Sequence, residues 1–380
     1  MVYNKFSEYL KKRYGTKVYK LPVSLGTTCP NRDGTLRPDL NAEAVGIAHT
    51  PCNNRDVALQ PDSNGFGSAG TSADATVDAE ICAATGAGTN DHYHDAIADD
   101  GACSGCIFCG IEGSGFETLP PENSIREQLE ANKCYIGKKY GAEKFIAYFQ
   151  NYSNTYIAFD RFSKAMNEAC IEGIVALYIG TRPDCIDDRR VDFLRQLKEE
   201  KGVDIVIELG LQSVNHHTLR WLNRRHGLAE FIDAVLRIKR AGLEVCVHMI
   251  NDLPADDIYD VIEAAKVLSA LGTDQVKCHS LYILENTVLG KAYKEGRFKP
   301  LSMEEFIERT VSFLEYLDPD IVVQRLIGRS PTGRSLFCNW YTSWWKIHDM
   351  IVEKMVREGR YQGRHFDYLN GRALRHFRDT

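Results

Sequence analysis

The run Cys103-Ser-Gly-Cys106-Ile-Phe-Cys109 brings three thiols together over a short stretch of chain. Soft thiolates at this density select zinc or iron–sulfur clusters over hard cations. A bacterial ferredoxin run requires a fourth cysteine four positions after Cys109, and Gly113 stands there, so that pattern fails. A zinc site would draw on Cys52, Cys82, His92 and His94, although their spacing fits none of the regular finger patterns. A third arrangement combines Cys106 and Cys109 with Cys29, which lies in LGTTCPNRDG directly after the first expected strand.

Three cysteines leave the fourth iron of a [4Fe–4S] cluster open to chelation by a small molecule. The amino and carboxylate groups of S-adenosylmethionine (SAM) suit that corner, with the sulfonium beside the cluster. One electron then cleaves a carbon–sulfur bond to give a 5′-deoxyadenosyl radical, chemistry that belongs to the cofactor while the protein orients it and excludes water. The cluster and zinc arrangements both remain open on the cysteines alone.

Such groups need a scaffold, and the apolar pattern supplies one. Strands are expected at 17–25, 144–150, 174–180, 203–211, 243–250 and 275–283, with helices near 123–138, 157–171, 187–200, 227–241 and 256–271. Strands alternating with helices read as βαβ units and a parallel sheet. Six such repeats predict an α/β fold, an open, partial (β/α)6 TIM-like barrel, with reactive groups where strands hand over to their following loops. Residues 1–36 and 103–284 form that barrel. Residues 285–380 read as a C-terminal α/β extension, with a helix at 302–317, a strand at 320–326 and a helix at 341–358. The last 24 residues, with six arginines, read as a solvated helical tail or a phosphate-contacting surface.

Residues 37–102 break the pattern. They hold eleven acids and two arginines and no sustained period, so they read as an acidic low-order insertion. The whole chain of 380 residues carries a net charge of −6, and the insertion accounts for more than all of it. The rest is mildly basic. No apolar run approaches the roughly 20 residues of a membrane span, and twelve cysteines without a secretory leader point to a reducing cytoplasm.

Longer runs carry a family resemblance: RYGTKVYKLPVSLGTTCPNRDGT (13–35), GCIFC (105–109), KFIAYFQNYSNTY (144–156), IGTRPDCI (179–186), IELGLQSVNHHTLRWLNRRH (207–226), VKCHSLYIL (276–284), FKPLSMEEF (298–306) and SLFCNWYTSWWKI (335–347). Together they resemble the YhcC/YtqA-type radical SAM proteins, relatives of the elongator catalytic subunit. The resemblance implies a radical SAM barrel whose cluster ligands are Cys29, Cys106 and Cys109. It implies SAM contacts from Gln150 and Thr181 at strand ends, and from Glu208, Gln212 and Ser213 on and after the fourth strand. Gln150 would meet the methionyl amino group and the fourth-strand groups the ribose.

The sequence departs from the family at three places. Seventy-six residues separate Cys29 from Cys106, Asp252-Leu-Pro-Ala255 stands where the family has Gly-Leu-Pro-Gly, and Asn223-Arg-Arg225 where it has Asn-Arg-Gly. The implied activity is reductive SAM cleavage that modifies an RNA, a tRNA wobble uridine by kinship, fed by a reductase or a flavodoxin/ferredoxin electron donor. The alternative is a degenerate homologue, or a zinc- or RNA-binding protein, without SAM turnover.

Several residues keep two readings. Glu208 is a cofactor contact or a salt-bridged core group. Arg182 holds a carboxylate or phosphate, or pairs with Asp184. His248 and His279 are satisfied core histidines or proton carriers. Trp340, Trp344 and Trp345 cap the barrel or stack bases. Cys134, Cys170, Cys185, Cys246, Cys278 and Cys338 are expected as small buried hydrophobes.

Overall fold

The structure is a computed structural model that describes residues 2–32, 105–110, 118–119, 121–329 and 335–377. The chain divides into Met1–Leu36 with His92–Thr380, and Arg37–Asp91. The expected insertion lies outside the described residues, as do Cys52, Cys82, His92, His94 and Cys103.

The elements follow in order α1 (Phe6–Tyr14), β1 (Val18–Val23), α2 (Ile125–Tyr140), β2 (Lys144–Phe149), α3 (Phe159–Ala169), β3 (Ile174–Thr181), α4 (Asp188–Lys201) and β4 (Asp204–Gln212). Next come α5 (His216–Trp221), α6 (Leu228–Arg240), β5 (Glu244–Ile250), α7 (Ile258–Ala270), β6 (Gln275–His279) and β7 (Ile283–Leu284). The chain ends with α8 (Val288–Lys294), α9 (Met303–Tyr316), β8 (Val322–Arg325), β9 (Ser335–Phe337) and α10 (Trp344–Arg357). Capping boxes start α2 at Ser124/Glu127, α7 at Asp257/Asp260 and α9 at Ser302/Glu305, each satisfying first-turn N–H groups.

Seven parallel strands form one sheet in the order β1-β2-β3-β4-β5-β6-β8. The partial barrel is as expected, with one difference. The strand assigned to the extension pairs with β6 and becomes the seventh of the barrel sheet. β7 pairs antiparallel with β9 in a separate two-stranded ribbon.

Alternate residues of each strand face opposite ways. On β4, Ile205, Ile207, Leu209 and Leu211 join the large core shared with the helices. Val206 and Glu208 face the other way, into the barrel. There a lower layer of Ile146, Tyr148, Ala176, Tyr178 and Val206 packs with Leu10 and the partly buried Phe6 and Tyr9 of α1. The sheet curls enough for its outermost strands to meet in the interior. Lys20 of β1 donates to Gln324 of β8 at 2.7 Å and to Glu208 of the central strand at 3.1 Å. Helix α1 covers the gap, with Lys5 bridging to Val323.

Among the described residues, the tail after α10 forms no helix apart from the 3-10 segment Arg372–Phe377. Arg360 pairs with Glu308 and Glu315 at 2.8 and 2.7 Å, and Arg364 with Glu315 at 3.2 Å. Arg372 and Arg375 both reach Asp367 at 3.4 Å, so these four arginines have internal anionic partners. Trp340 packs on Phe306 and Phe337, whereas Trp344 and Trp345 open α10 with exposed rings and do not cap the barrel. Cys246 and Cys278 are buried as expected, but Cys134 is exposed, because α2 turns Ile125 and Leu129 inward instead. Among the described residues, no helix is long and apolar enough to cross a membrane.

Candidate functional site

Beyond β1 the chain turns through Cys29, with Arg32 N–H donating to Cys29 C=O at 2.8 Å. Asn31 Nδ2 reaches Cys106 Sγ at 3.6 Å and Asn223 C=O at 2.5 Å. Arg32 donates to the carbonyls of Cys109 and Gly110 at 3.0 and 2.6 Å. Asn223 Nδ2 closes the set on Gly105 C=O at 2.7 Å. The 76-residue separation is therefore bridged in space. A Cβ on Gly105, whose φ is +106°, would stand 3.2 Å from Arg32 Cγ.

Two guanidinium groups face the thiols. Arg224 donates to Cys106 Sγ at 3.3 Å and to Gly210 C=O at 2.6 Å. Arg182 approaches Cys29 Sγ at 3.8 Å and forms a bidentate pair with Asp184 at 2.8 and 2.7 Å, so the pairing expected for it is present. A hydrogen bond from Cys109, with the charges of Arg224 and Arg182, holds Cys106 well below the usual thiol range, while that same bond and burial push Cys109 up. Burial and the neighbouring Arg224 bring His226 down to about 2, so a neutral ring accepts from Arg224 at 2.9 Å.

Cys29, Cys106 and Cys109 line a solvent-open cavity at the C-terminal end of the strands. Gln150, Thr181, Glu208 and Gln212 line it as well. Ser213 does not: it is buried, and its hydroxyl donates to Asp256 at 3.0 Å. Space for the cavity comes from glycines on adjacent strands. A Cβ at Gly180 would meet Phe149 C=O at 3.0 Å, and one at Gly210 would meet Arg224 at 3.2 Å. Gln212 has φ +77°, a conformation L-residues rarely adopt and one that clusters at functional sites. Arg225 likewise has φ +53°, where the family pattern places glycine.

The cavity floor is ionic. Glu208 is fully buried and accepts from Lys20 and Lys277 at 3.1 Å each and from His248 at 2.9 Å. Against the desolvation of burial, the two ammonium groups hold its carboxyl well below the usual range. Burial brings Lys277 down to about 7 and His248 to about 4. The salt-bridged reading of Glu208 is thus the one the contacts display, and its carboxylate also lines the cavity. Glu208, Cys246 and His248 offer ligand atoms within 4.8 Å of one another, but the two ammonium groups already occupy that carboxylate. His279 meets Arg325 at 2.7 Å and lies 5.2 Å from the His248 ring, so both histidines line the cavity and have polar partners, Glu208 for His248 and Arg325 for His279. Asn31, Arg224, Lys20 and Lys277 were not singled out from sequence. All four do lie inside the motif runs, and that was their available signal.

The loop after β5 buries two carboxyls. Asp252 accepts from Leu281 N–H at 2.8 Å, its other oxygen has no partner, and burial pushes it up to about 7. Burial also pushes Asp256 up to about 7. An acid raised on folding stabilises the fold fully below about pH 4 and loses that contribution as pH climbs through 7. Asp252→Asn keeps the acceptor but cannot ionise. Its stability relative to the parent is therefore expected to improve between pH 4 and 7 by roughly 2–4 kcal/mol, then level off. Urea titrations at pH 4.5, 6 and 8 check this, and parallel pH dependences of the two proteins would sink it.

A protein-family model for the radical SAM superfamily matches residues 101–268, and one for the Radical_SAM C-terminal domain matches 273–357. An uncharacterized protein of Methanocaldococcus jannaschii, MJ0486, is 32% identical over 270 residues, 69% of this chain and 82% of the relative. The chain belongs to the radical SAM superfamily. Within it, YtqA of Bacillus subtilis, also uncharacterized, is 26% identical over 97% of this chain and 94% of its own. A tRNA uridine(34) acetyltransferase of Methanocaldococcus infernus is 29% identical over 44% of this chain and 31% of its own. The solved structure of Elp3 from the same archaeon, with an N-terminal deletion, has a TM-score of 0.55 at 21% identity and shares the fold over 63% of this chain and 61% of its own. The cofactors of this superfamily are a [4Fe–4S] cluster and SAM. The donor set suits them: three thiols, two guanidinium groups to offset cluster charge, and buried Asn31 Oδ1 and Arg224 Nε without protein partners.

Proposed function

We propose that Cys29, Cys106 and Cys109 hold a [4Fe–4S] cluster with one open iron, and that the adjoining cavity takes SAM to modify an RNA. The observation that carries this reading is the cavity itself, because Cys29, remote in sequence, lines it together with the Cys106/Cys109 pair and with polar groups at the ends of β2, β3 and β4. When bound, the cluster and SAM supply a 5′-deoxyadenosyl radical. The chain's own groups position them. Arg182 and Arg224 counter thiolate charge, Asn31 holds the Cys29 turn against Cys106, and Gly180 and Gly210 leave room beside Gln150 and Gln212. Thr181 is fixed by Thr155 at 2.6 Å. Glu208 then acts chiefly as the anion that keeps the floor rigid, leaving Gln212 as the fourth-strand group for a ribose.

An RNA substrate is supported by the similarity to a tRNA uridine(34) acetyltransferase, which points to a wobble uridine. The electron comes from a reductase or from a flavodoxin or ferredoxin. Anaerobic reconstitution of the full chain is expected to give about four irons and dithionite-dependent 5′-deoxyadenosine. Bound zinc without colour, or iron without SAM cleavage, would overturn the proposal. Comparing tRNA nucleosides from a deletion strain by mass spectrometry then tests the substrate.

Arg32 lies against Gly105, Cys109 and Gly110, so contacts among the described residues tie the Cys29 turn to the Cys106/Cys109 run. Loop-closure entropy changes only logarithmically with length. A chain lacking 38–102 is expected to retain the iron content of the full chain after reconstitution. Loss of iron from a folded deletion variant would contradict that.

A further inference from the structure

The turn between β9 and α10 is tied to the cavity wall through Ser280 and carries aromatic rings outward. Ser280, a cavity-lining residue, donates to Asn339 Oδ1 at 2.6 Å, and Asn339 Nδ2 donates to Gly328 C=O at 3.1 Å. Three successive non-glycine residues, Asn339, Trp340 and Tyr341, then adopt left-handed backbone at φ 45°, 47° and 56°. Such a conformation persists only where surroundings over-determine it. Here the Trp340 indole is pinned by its N–H to Leu301 C=O at 2.7 Å and by Phe306 and Phe337. The result is that Tyr341 projects 78% exposed, followed by Trp344 at 37% and Trp345 at 51%.

Exposed rings clustered within five residues, unlike hydrophobic side chains scattered singly, suit a binding surface. The charges beside them decide for which ligand. Arg329 lies over Trp344 at 5.2 Å and Lys346 over Trp345 at 5.6 Å. No acidic side chain stands in the first turn of α10, and the side chain of its N-cap, Ser343, makes no capping bond, so the positive end of the helix dipole is left uncompensated beside Trp344 and Trp345. Rings interleaved with cations fit a polyanion whose bases are unpaired, since every base offers a face to stack on and the backbone meets the cations. A duplex hides those faces.

We propose that Tyr341, Trp344 and Trp345 form a stacking platform that receives unpaired bases of an RNA loop and presents the neighbouring nucleotide to the cavity. The inference rests on the RNA reading given above and adds the surface and the single-stranded form of the substrate.

The test is fluorescence anisotropy at fixed salt, with a labelled anticodon stem-loop bearing a first-position anticodon uridine and a duplex of equal length. The full chain is expected to prefer the stem-loop. Tyr341→Ala and Trp345→Ala should each weaken that binding about tenfold, the scale of one lost stacking contact. Trp345→Phe, which keeps a ring, should restore most of it. Iron content in the same samples reports on the cluster site separately, and circular dichroism reports on α10. Stem-loop binding that is the same in both alanine variants as in the parent overturns the platform and leaves the RNA reading intact. Absence of any RNA binding by the parent overturns both. A change from dimer to monomer in the alanine variants, with RNA affinity unmoved, assigns the rings to a second copy of the chain and also overturns the platform.

Discussion

Serine at position 29, 106 or 109 is expected to bleach the reconstituted protein and lower 5′-deoxyadenosine formation by at least two to three orders of magnitude, the scale set by losing an essential cofactor. A hydroxyl replaces a soft thiolate at nearly constant volume, so the change is chemical more than steric. The surroundings sharpen the expectation. Asn31, Arg182 and Arg224 all direct donors at these sulfurs, and the turn that carries Cys29 is pinned by Arg32. The local fold therefore has supports independent of the cluster, and the serine variants should remain folded by circular dichroism while losing iron. Exposed Cys134 supplies the control, because Cys134→Ser should keep full iron and activity. A Cys29→Ser protein that still binds four irons and cleaves SAM at the parent rate would refute the ligand assignment.

Replacing Glu208 by Gln should cost about 3–5 kcal/mol, the usual penalty for leaving a buried ion without its counter-charge. The reason is arithmetic of charge: one carboxylate serves Lys20, Lys277 and His248 in the barrel interior. With the anion gone, Lys277 is driven to its neutral form. Burial has already lowered it to about 7 in the parent, against roughly 10.4 in an unfolded chain. A depressed lysine takes up protons on unfolding, so the stability it permits rises with pH. The deficit of the Gln variant is accordingly expected to be largest below pH 6 and smaller above pH 8. A second change, Lys277→Met, should recover part of the loss by removing the stranded cation. Chemical denaturation across pH measures both. A Gln variant as stable as the parent at pH 6, but with weakened SAM binding, would show that Glu208 serves the cofactor and not the fold.

Much of this was legible in the residues. The β-branched and aromatic runs mark six strands to within a few positions, because parallel strands covered on both sides are continuous and apolar. The run Cys103-Cys106-Cys109 stood out as soft ligands by its spacing, whereas Cys29 was joined to Cys106 and Cys109 by the family resemblance, and the structure places those three around one cavity. The strand at 322–325 was visible, yet its partner was not. Periodicity describes one segment at a time and says nothing of which neighbour it joins. Lys20 and Lys277 escaped notice for a related reason. A lysine within a strand reads as a solvated edge position, and only closure of the sheet around Glu208 turns it inward. Trp344 and Trp345 were misplaced because a run of left-handed non-glycine residues has no compositional mark. That turn sends the rings outward where hydrophobicity alone would have hidden them.

The bridge from Lys5 to Val323 joins the two extremes of the barrel. During synthesis at 5–20 residues per second, the first helix waits about 15–60 s for the strand it must seal against. Until then the charged interior is open at its base, and contacts spanning nearly the full chain make closure slow. The nascent protein is thus an unsealed vessel for most of its manufacture. Severing it ahead of residue 322 would yield not a smaller catalyst but a trough with its buried lysines flooded.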